Sequence, residues 1–173
     1  LLKISGTTII SRVYKKALEA NIGEVFVATE DQEIFDQISK EGGKSILTSK
    51  NHKTGTDRIF EAYKKIKPSG VKYILNIQGD EPMLDINDII KLNNQITKLD
   101  FDMATLACKI NEDNQYIDEN IVKVKTKDEI NESSISKAKA FFRRLDNSDK
   151  ENTYHHIGIY QYKVSVLEKI ISL

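Results

Sequence analysis

From residue 8 to residue 21 the apolar positions Ile9, Ile10, Val13, Ala17 and Leu18 recur on one helical face, and Asn21-Ile22-Gly23 supplies a stop, so a helix is predicted there. The run Val25-Phe26-Val27-Ala28 is short and apolar throughout, which predicts a strand buried on both faces. Asp31 can cap a second helix with Ile34, Phe35 and Ile38 inward. It ends at Gly42-Gly43 and leads to a short strand at Ser45-Ile46-Leu47. A third helix is predicted from Asp57 to Ile66, with Ile59, Ala62, Tyr63 and Ile66 inward and Pro68-Ser69-Gly70 breaking it. A strand from Tyr73 to Gln78 then runs through Gly79-Asp80-Glu81-Pro82 into a helix with Ile86, Ile89, Ile90 and Ile96 on its inner side.

Strand and helix alternate through this first part of the chain, which predicts an α/β fold: a doubly wound, mostly parallel sheet covered by helices on both faces. Open sheets of this kind bind ligands outside the carboxyl ends of their strands. Three polar turns leave strands at that edge, Thr29-Glu30-Asp31, residues 48–58 and residues 78–81, and they are expected to share one rim. Beyond Asp100 the texture changes to strand-like runs at residues 102–110 and 121–126, with a charged, glycine-free stretch over 127–139. No repeat or low-complexity linker interrupts the chain, so one continuous domain with a less regular second half is expected over residues 1–173.

Composition narrows the classes. A chain of 173 residues can bury a core without disulfides or metal staples. No apolar stretch approaches the ~20 residues a bilayer-spanning helix needs, so no membrane association is expected. Lys and Arg total 26, equal to Asp and Glu at 26, so the overall balance lacks the basic excess that captures nucleic acid. Cys108 is the single cysteine and lies in the apolar run of residues 103–108, where a buried thiol acting as a small hydrophobe is expected. That is compatible with a reducing cytoplasm. Residues 1–6 lack the features of a secretory signal, the chain has no initiator methionine, and Ile170-Ile171 are followed by no capping signal. Both ends are expected to be truncated.

The candidate chemistry lies in four places. Asp80 puts a hard oxygen ligand beside a glycine on a turn where a strand stops, an arrangement suited to holding a divalent metal next to a phosphate; ordinary turn chemistry accounts for the same residues. Residues 48–58, with Thr54, Gly55 and Arg58, offer hydroxyls, a guanidinium and helix N-terminal amides to an anion or nucleotide, or merely cap a helix. It is not a Walker loop, because the Gly-Lys-Ser/Thr ending is absent. On residues 154–162 one strand face carries His156, Gly158, Tyr160 and Tyr162, a platform for a polar ligand or a half-buried edge strand. Arg143-Arg144 can pair bidentately with a carboxylate or be solvated. No nucleophile with a positioned base is discernible.

Taken in order, VFVATEDQEI, EGGKSILTSKNHKTGTDR, YILNIQGDEPML, DMATLACKI, NIVKVKT and YHHIGIYQY resemble the CMP-Kdo synthetases, the 3-deoxy-manno-octulosonate (Kdo) cytidylyltransferases, over nearly the whole chain. The resemblance implies a nucleotidyltransferase, Rossmann-like α/β domain with a small excursion in its second half used for dimerisation and sugar-acid binding. It implies transfer of CMP from CTP to the anomeric hydroxyl of Kdo, with release of pyrophosphate, Mg²⁺ as cofactor, and a place in lipopolysaccharide biosynthesis. It implies a cytoplasmic homodimer whose partners are CTP and Kdo. By the same resemblance Asp80 binds the magnesium, Gln78 faces the sugar acid, and Thr54, Gly55 and Arg58 belong to the nucleotide side. His156 and Tyr160 fall on the sugar-binding strand, and Arg143 matches an arginine that meets the sugar-acid carboxylate region.

The chain departs from the family pattern at Glu30, where aspartate is usual, at Phe142, where a small hydroxyl residue is usual, and at Gln161, which replaces a small residue. Family members also carry an earlier strand and basic loop that grip the triphosphate, and a later segment with a second metal-binding aspartate. The 173-residue polypeptide is therefore expected to have negligible synthetase activity by itself, and robust pyrophosphate release from CTP and Kdo would refute this. Alternative readings are a cytidylyltransferase for another acidic sugar, such as 8-amino Kdo or a nonulosonic acid, and a degenerate nucleotide-binding or assembly module.

Overall fold

The computed structural model describes residues 1–131, 134–145 and 150–172, so residues 132–133 of the charged stretch, residues 146–149 and the chain's final residue lie outside the description. The chain forms two compact units, one from Leu1 to Ala104 and again from Ile159 onward, the other from Thr105 to Gly158.

In the first unit β1 (Lys3–Ile4) and β2 (Thr7–Thr8) form an antiparallel hairpin across Ser5 and Gly6, both at positive φ (47° and 81°) as a two-residue loop requires. Thr8 then caps α1 (Ile9–Glu19), accepting from the Ser11 amide at 3.2 Å. β3 (Val27–Thr29) leads to α2 (Gln32–Lys40), whose cap is Asp31 as expected: its carboxylate accepts from the amides of Glu33 at 2.7 Å and Ile34 at 3.3 Å. β4 (Ser45–Leu47) runs parallel to β3, with Ala28 opposite Ile46. α3 (Gly55–Ile66) starts two residues before the expected Asp57 and stops at Lys67, which adopts the left-handed conformation (φ 49°, ψ 52°) just ahead of Pro68. β5 (Tyr73–Asn76) and α4 (Ile86–Leu99) follow.

The second unit takes up most of β6 (Met103–Cys108), then the short α5 (Asn114–Ile117), β7 (Lys123–Thr126) and β8 (Ala138–Phe142). β9 (Thr153–Lys163) pairs antiparallel with β7 through residues 153–155 in this unit and with β5 through residues 160–163 in the first. α6 (Val164–Ile171) returns to the first unit, where Leu167 is fully buried and the helix packs on α3.

The α/β class stands, with mixed sheets: β3 and β4 are parallel, whereas β5 with β9 and β7 with both β8 and β9 are antiparallel. Three local expectations change. Leu18 is 47% exposed, and Tyr14 takes the inward place on α1 because the buried stripe runs through Ser11, Val13, Tyr14 and Ala17. Cys108 is exposed rather than buried, since it sits at the far end of β6, whose exposed positions are its two termini. Residues 153–163 are not an edge strand, because β9 pairs with β5, β6 and β7.

The core of the first unit has two parts. Tyr14, Val27 and Ile38 form a cluster with Ile10, Val25 and Ile34 packed around it. Elsewhere Ile89 and Ile96 of α4 and Ile159 of β9 are completely buried, each such side chain contributing about 1.5–3 kcal/mol relative to exposure. One polar pair lies among them. Gln161 donates from Nε2 to Asn93 Oδ1 at 2.9 Å, while its own Oε1 has no partner among the described residues.

Gly43 closes the tightest contact. A Cβ built there would lie 2.7 Å from Ile38 Cγ2 and 2.8 Å from Tyr14 Cε1, both atoms of buried side chains that cannot swing away. Gly43→Ala is therefore expected to destabilise the fold by about 1–3 kcal/mol, the usual range for overpacking, measured as a lower urea midpoint with unchanged slope. Gly23→Ala, with nothing within 4 Å of its added Cβ, serves as the control.

Candidate active site

The turn that carries Asp80 is braced from α1. After β5 ends at the buried Asn76, the Glu81 amide donates to the Gln78 carbonyl at 3.3 Å, and Lys16 Nζ donates to the Leu84 carbonyl at 2.6 Å. Ile10 Cδ1 lies 2.9 Å from where a Gly79 Cβ would sit, so the glycine lets the turn settle against the helix. Asp80 itself is exposed, and among the described residues nothing pairs with its carboxylate. A free carboxylate beside a glycine fits Mg²⁺, which is held by one or two carboxylates with phosphate oxygens and water completing its shell. No cluster of three or more His, Cys, Asp or Glu that could hold a metal occurs among the described residues, so Asp80 would depend on its ligand to complete such a site.

The α3 N-terminus faces the same region. Thr54 accepts from the Asp57 amide at 3.2 Å, and Asp57 Oδ2 accepts from the Thr54 amide at 3.0 Å and its hydroxyl at 2.7 Å. That reciprocal box occupies the Thr54 side chain as a cap. Next to it, a Cβ at Gly55 would come only to 4.0 Å from Gln78 Nε2, bringing the start of α3 beside the end of β5. Tyr160 lies opposite Asn76 and Tyr162 opposite Ile74, with their rings stacked at 6.0 Å between centroids. Burial pushes both phenols above their ordinary pKa, and at Tyr162 alone the bond to Thr56 partly offsets the rise. Gln78 in the turn after β5 thus approaches Gly55, the adjoining Thr56 bonds Tyr162 of β9, and Tyr160 stacks on Tyr162.

Arg58 ties the rim together. Its guanidinium donates to Thr48 Oγ1 at 2.7 Å at the end of β4 and pairs with Glu30 in the turn after β3. The segment between β4 and α3 is anchored a second time at Glu61, which accepts from Lys65 Nζ, from the Ser49 amide at 2.9 Å and from His52 Nε2. The bond from Lys65, then those from Ser49 and His52, hold the Glu61 carboxyl down to about 2.

Arg143 and His156 belong to the second unit. Arg143 follows β8, is exposed, and donates from a terminal nitrogen to the Glu119 carbonyl at 3.0 Å. His156 is 7% exposed. Its Nε2 lies 2.9 Å from the Thr105 hydroxyl and its ring meets Phe141 edge-on at 5.1 Å. Burial, with His155 adding to it, holds its pKa below the ordinary histidine value.

Of the residues expected to act, Gln78, Gly55 and Tyr160 come together in the first unit, with Thr54 at the adjoining cap and Asp80 on the turn after Gln78. Sequence reasoning did not identify Glu30, Thr48 or Glu61 as partners in this rim, nor Lys123 beneath Arg143. The spacing of Glu61 four residues before Lys65 was the one local signal available.

The arrangement is that of the nucleotidyltransferase α/β fold. A solved CMP:2-keto-3-deoxy-manno-octonic acid synthetase complexed with CTP superimposes with a TM-score of 0.83 at 32% identity, over 100% of this chain and 70% of that one. A 4-diphosphocytidyl-2C-methyl-D-erythritol synthase from Anaerococcus prevotii shares the fold at a TM-score of 0.64 with 14% identity, over 99% of this chain and 71% of that one. The profile of the family described as cytidylyltransferase matches residues 1–172. The 3-deoxy-manno-octulosonate cytidylyltransferase of Rhizobium etli is 36% identical over 100% of this chain and 68% of its own length. That of Rickettsia felis is 34% identical over 98% of this chain and 67% of its own length. The chain belongs to the cytidylyltransferase family.

The buried imidazole gives a pH test. Its folded pKa lies below the unfolded value of about 6.5, so the unfolded chain binds the extra proton first. The contribution is complete above about pH 6.5 and is lost as pH falls below it. Urea midpoints at about pH 7.5 and 5.5 should fall further for the wild type than for His156→Gln, which retains a hydrogen-bonding group without the titration.

Proposed function

We propose that the protein transfers CMP from CTP to the anomeric hydroxyl of Kdo and releases pyrophosphate, in the cytoplasmic supply of activated Kdo for lipopolysaccharide, with Mg²⁺ as cofactor and as a homodimer. The observation that carries this reading is the 36% identity to the Rhizobium etli enzyme across the whole chain, joined to the fold shared with the CTP-bound synthetase.

In this reading the anomeric oxygen attacks the α-phosphorus of CTP, an oxygen–phosphorus bond forms, and the bond from the α-phosphorus to the bridging oxygen breaks as pyrophosphate leaves. The hydroxyl proton passes to solvent. Such a displacement needs positioning and charge neutralisation more than a protein nucleophile. Mg²⁺, when bound, supplies that neutralisation at the phosphate oxygens. Asp80 holds it, Gln78 faces the sugar acid, and Gly55 at the α3 start lets the nucleotide approach backbone amides. Thr54 and Arg58 serve the nucleotide side by holding that segment in shape, as their occupied side chains support. By the family resemblance Tyr160 in the first unit, and separately His156 and Arg143 in the second, serve the sugar acid, the guanidinium by the fork geometry that suits a carboxylate.

The test is Mg²⁺-dependent pyrophosphate release from CTP with Kdo, using the protein expressed with whatever coding sequence flanks residues 1 and 173. Turnover with Kdo exceeding that with 8-amino Kdo or a nonulosonic acid supports the reading. Binding of CTP without any turnover overturns it in favour of a non-catalytic module. Asp80→Asn should lower turnover on the order of 100-fold with no change in melting temperature, because the exposed carboxylate makes no contact the fold needs. Unchanged Mg²⁺ dependence in that variant would remove Asp80 from the role.

A further inference from the structure

Among the buried residues of the protein Lys123 stands apart: it is 0% exposed, and no other lysine, arginine, aspartate or glutamate among the described residues is buried. A lysine on a strand can usually extend its stem and keep its head in water. Here the head turns inward. Nζ donates to the Arg143 carbonyl at 2.6 Å and also to the Asp118 carbonyl. Desolvation of that ammonium disfavours its charge, and the nearby carboxylates of Asp118 and Glu119 work against the shift. Burying a charge is tolerated only where hydrogen bonds replace water, and both bonds here go to backbone carbonyls of two loops.

One of those loops carries Arg143. Lys123 lies opposite Phe142 in the ladder between β7 and β8, so its side chain reaches the point where the chain leaves β8. Residues 143–145 are then tied to residues 116–119 by four hydrogen bonds. Lys123 bridges the Asp118 and Arg143 carbonyls, the Arg143 guanidinium donates to the Glu119 carbonyl at 3.0 Å, and the Leu145 amide donates to the Tyr116 carbonyl at 3.1 Å. The Leu145 bond joins backbone to backbone, the two from Lys123 hold one carbonyl on each side, and the fourth uses one guanidinium N–H. Among the described residues the other four make no hydrogen bond, leaving donors available to a planar anion.

We propose that Lys123 is a positioning residue for carboxylate recognition: by clamping the carbonyls of Asp118 and Arg143, its ammonium sets the place from which the Arg143 guanidinium meets the sugar-acid carboxylate. This rests on the reading of Arg143 given above. A lysine that merely stabilised the second unit would be expected to change stability and all kinetic constants together; a positioning lysine changes the constant for one substrate.

The experiment is steady-state kinetics with Mg²⁺, varying CTP and Kdo separately, on the protein expressed with whatever coding sequence flanks residues 1 and 173 and on its Lys123→Met, Lys123→Gln, Arg143→Ala and Lys123→Met/Arg143→Ala variants. Lys123→Met is expected to raise KM for the sugar acid about tenfold, the loss of one well-placed charged contact. KM for CTP should remain within about twofold, since nothing on the nucleotide side is altered. Lys123→Gln, which keeps an amide donor, should fall between wild type and Lys123→Met. The pair should be no worse than Arg143→Ala alone, because one residue acts through the other. Multiplicative effects, equal changes in both KM values, or an unchanged KM for the sugar acid in Lys123→Met beside a raised one in Arg143→Ala would each overturn the proposal. An unchanged KM in Arg143→Ala would instead overturn the role of Arg143, and this proposal with it. Should Lys123→Met fail to fold, Lys123→Gln carries the comparison; failure of both variants to fold makes the lysine structural and overturns the positioning role.

Discussion

The geometry of the candidate nucleotide side depends on where the Arg58 guanidinium is held. Glu30 at the end of β3, Thr48 at the end of β4 and Arg58 in the first turn of α3 meet at one point. Glu30 is 42% exposed, so the ion pair contributes at most about 1 kcal/mol of stability. Its effect is geometric. Two parallel strands and a helix start, each short, acquire a common reference, and the segment between β4 and α3 is drawn against the helix a second time by Glu61. The expectation that these polar turns share one rim is thereby realised for two of them, and the third joins through the approach of Gln78 to Gly55.

What the sequence made legible follows from which physical signals are local. Helical periodicity and Asp31 placed α2 within a residue, because a cap bonds to amides two and three positions away. The strand at 45–47 was legible as a short run bounded by turn residues, and the strand expected over residues 25–28 is found displaced to residues 27–29. Pairing was not. β9 reads as an alternating, half-polar strand, the pattern of an edge, yet it lies between partners because Tyr, His and Gln can be buried when their polar atoms find bonds, as His156 does with Thr105. Cys108 read as buried from an apolar neighbourhood, but exposure at a strand end is a property of the tertiary arrangement.

The candidate site divides the same way. Asp80, Gln78 and Gly55 carry their chemistry in side-chain type and turn position, both visible along the chain. Glu30 with Arg58, His52 with Glu61 and Lys123 with Arg143 involve partners 28, 9 and 20 residues apart. The first and last of these separations have no helical or strand period to betray them. The residues expected to touch substrate were thus the ones named first, and the residues that hold them in place emerged only with the coordinates.

The pairing of Gln161 with Asn93 has a consequence for how β9 seats itself. An amide oxygen without a partner among the described residues makes this arrangement less stable than an all-hydrocarbon one, but the single directional bond to Asn93 exists in one alignment alone. Sliding the strand by a residue would turn the amide away from α4 and send the tyrosine pair to the opposite side of the sheet. The polar lock therefore penalises misaligned strands during folding and keeps the two stacked tyrosines on one face of the sheet.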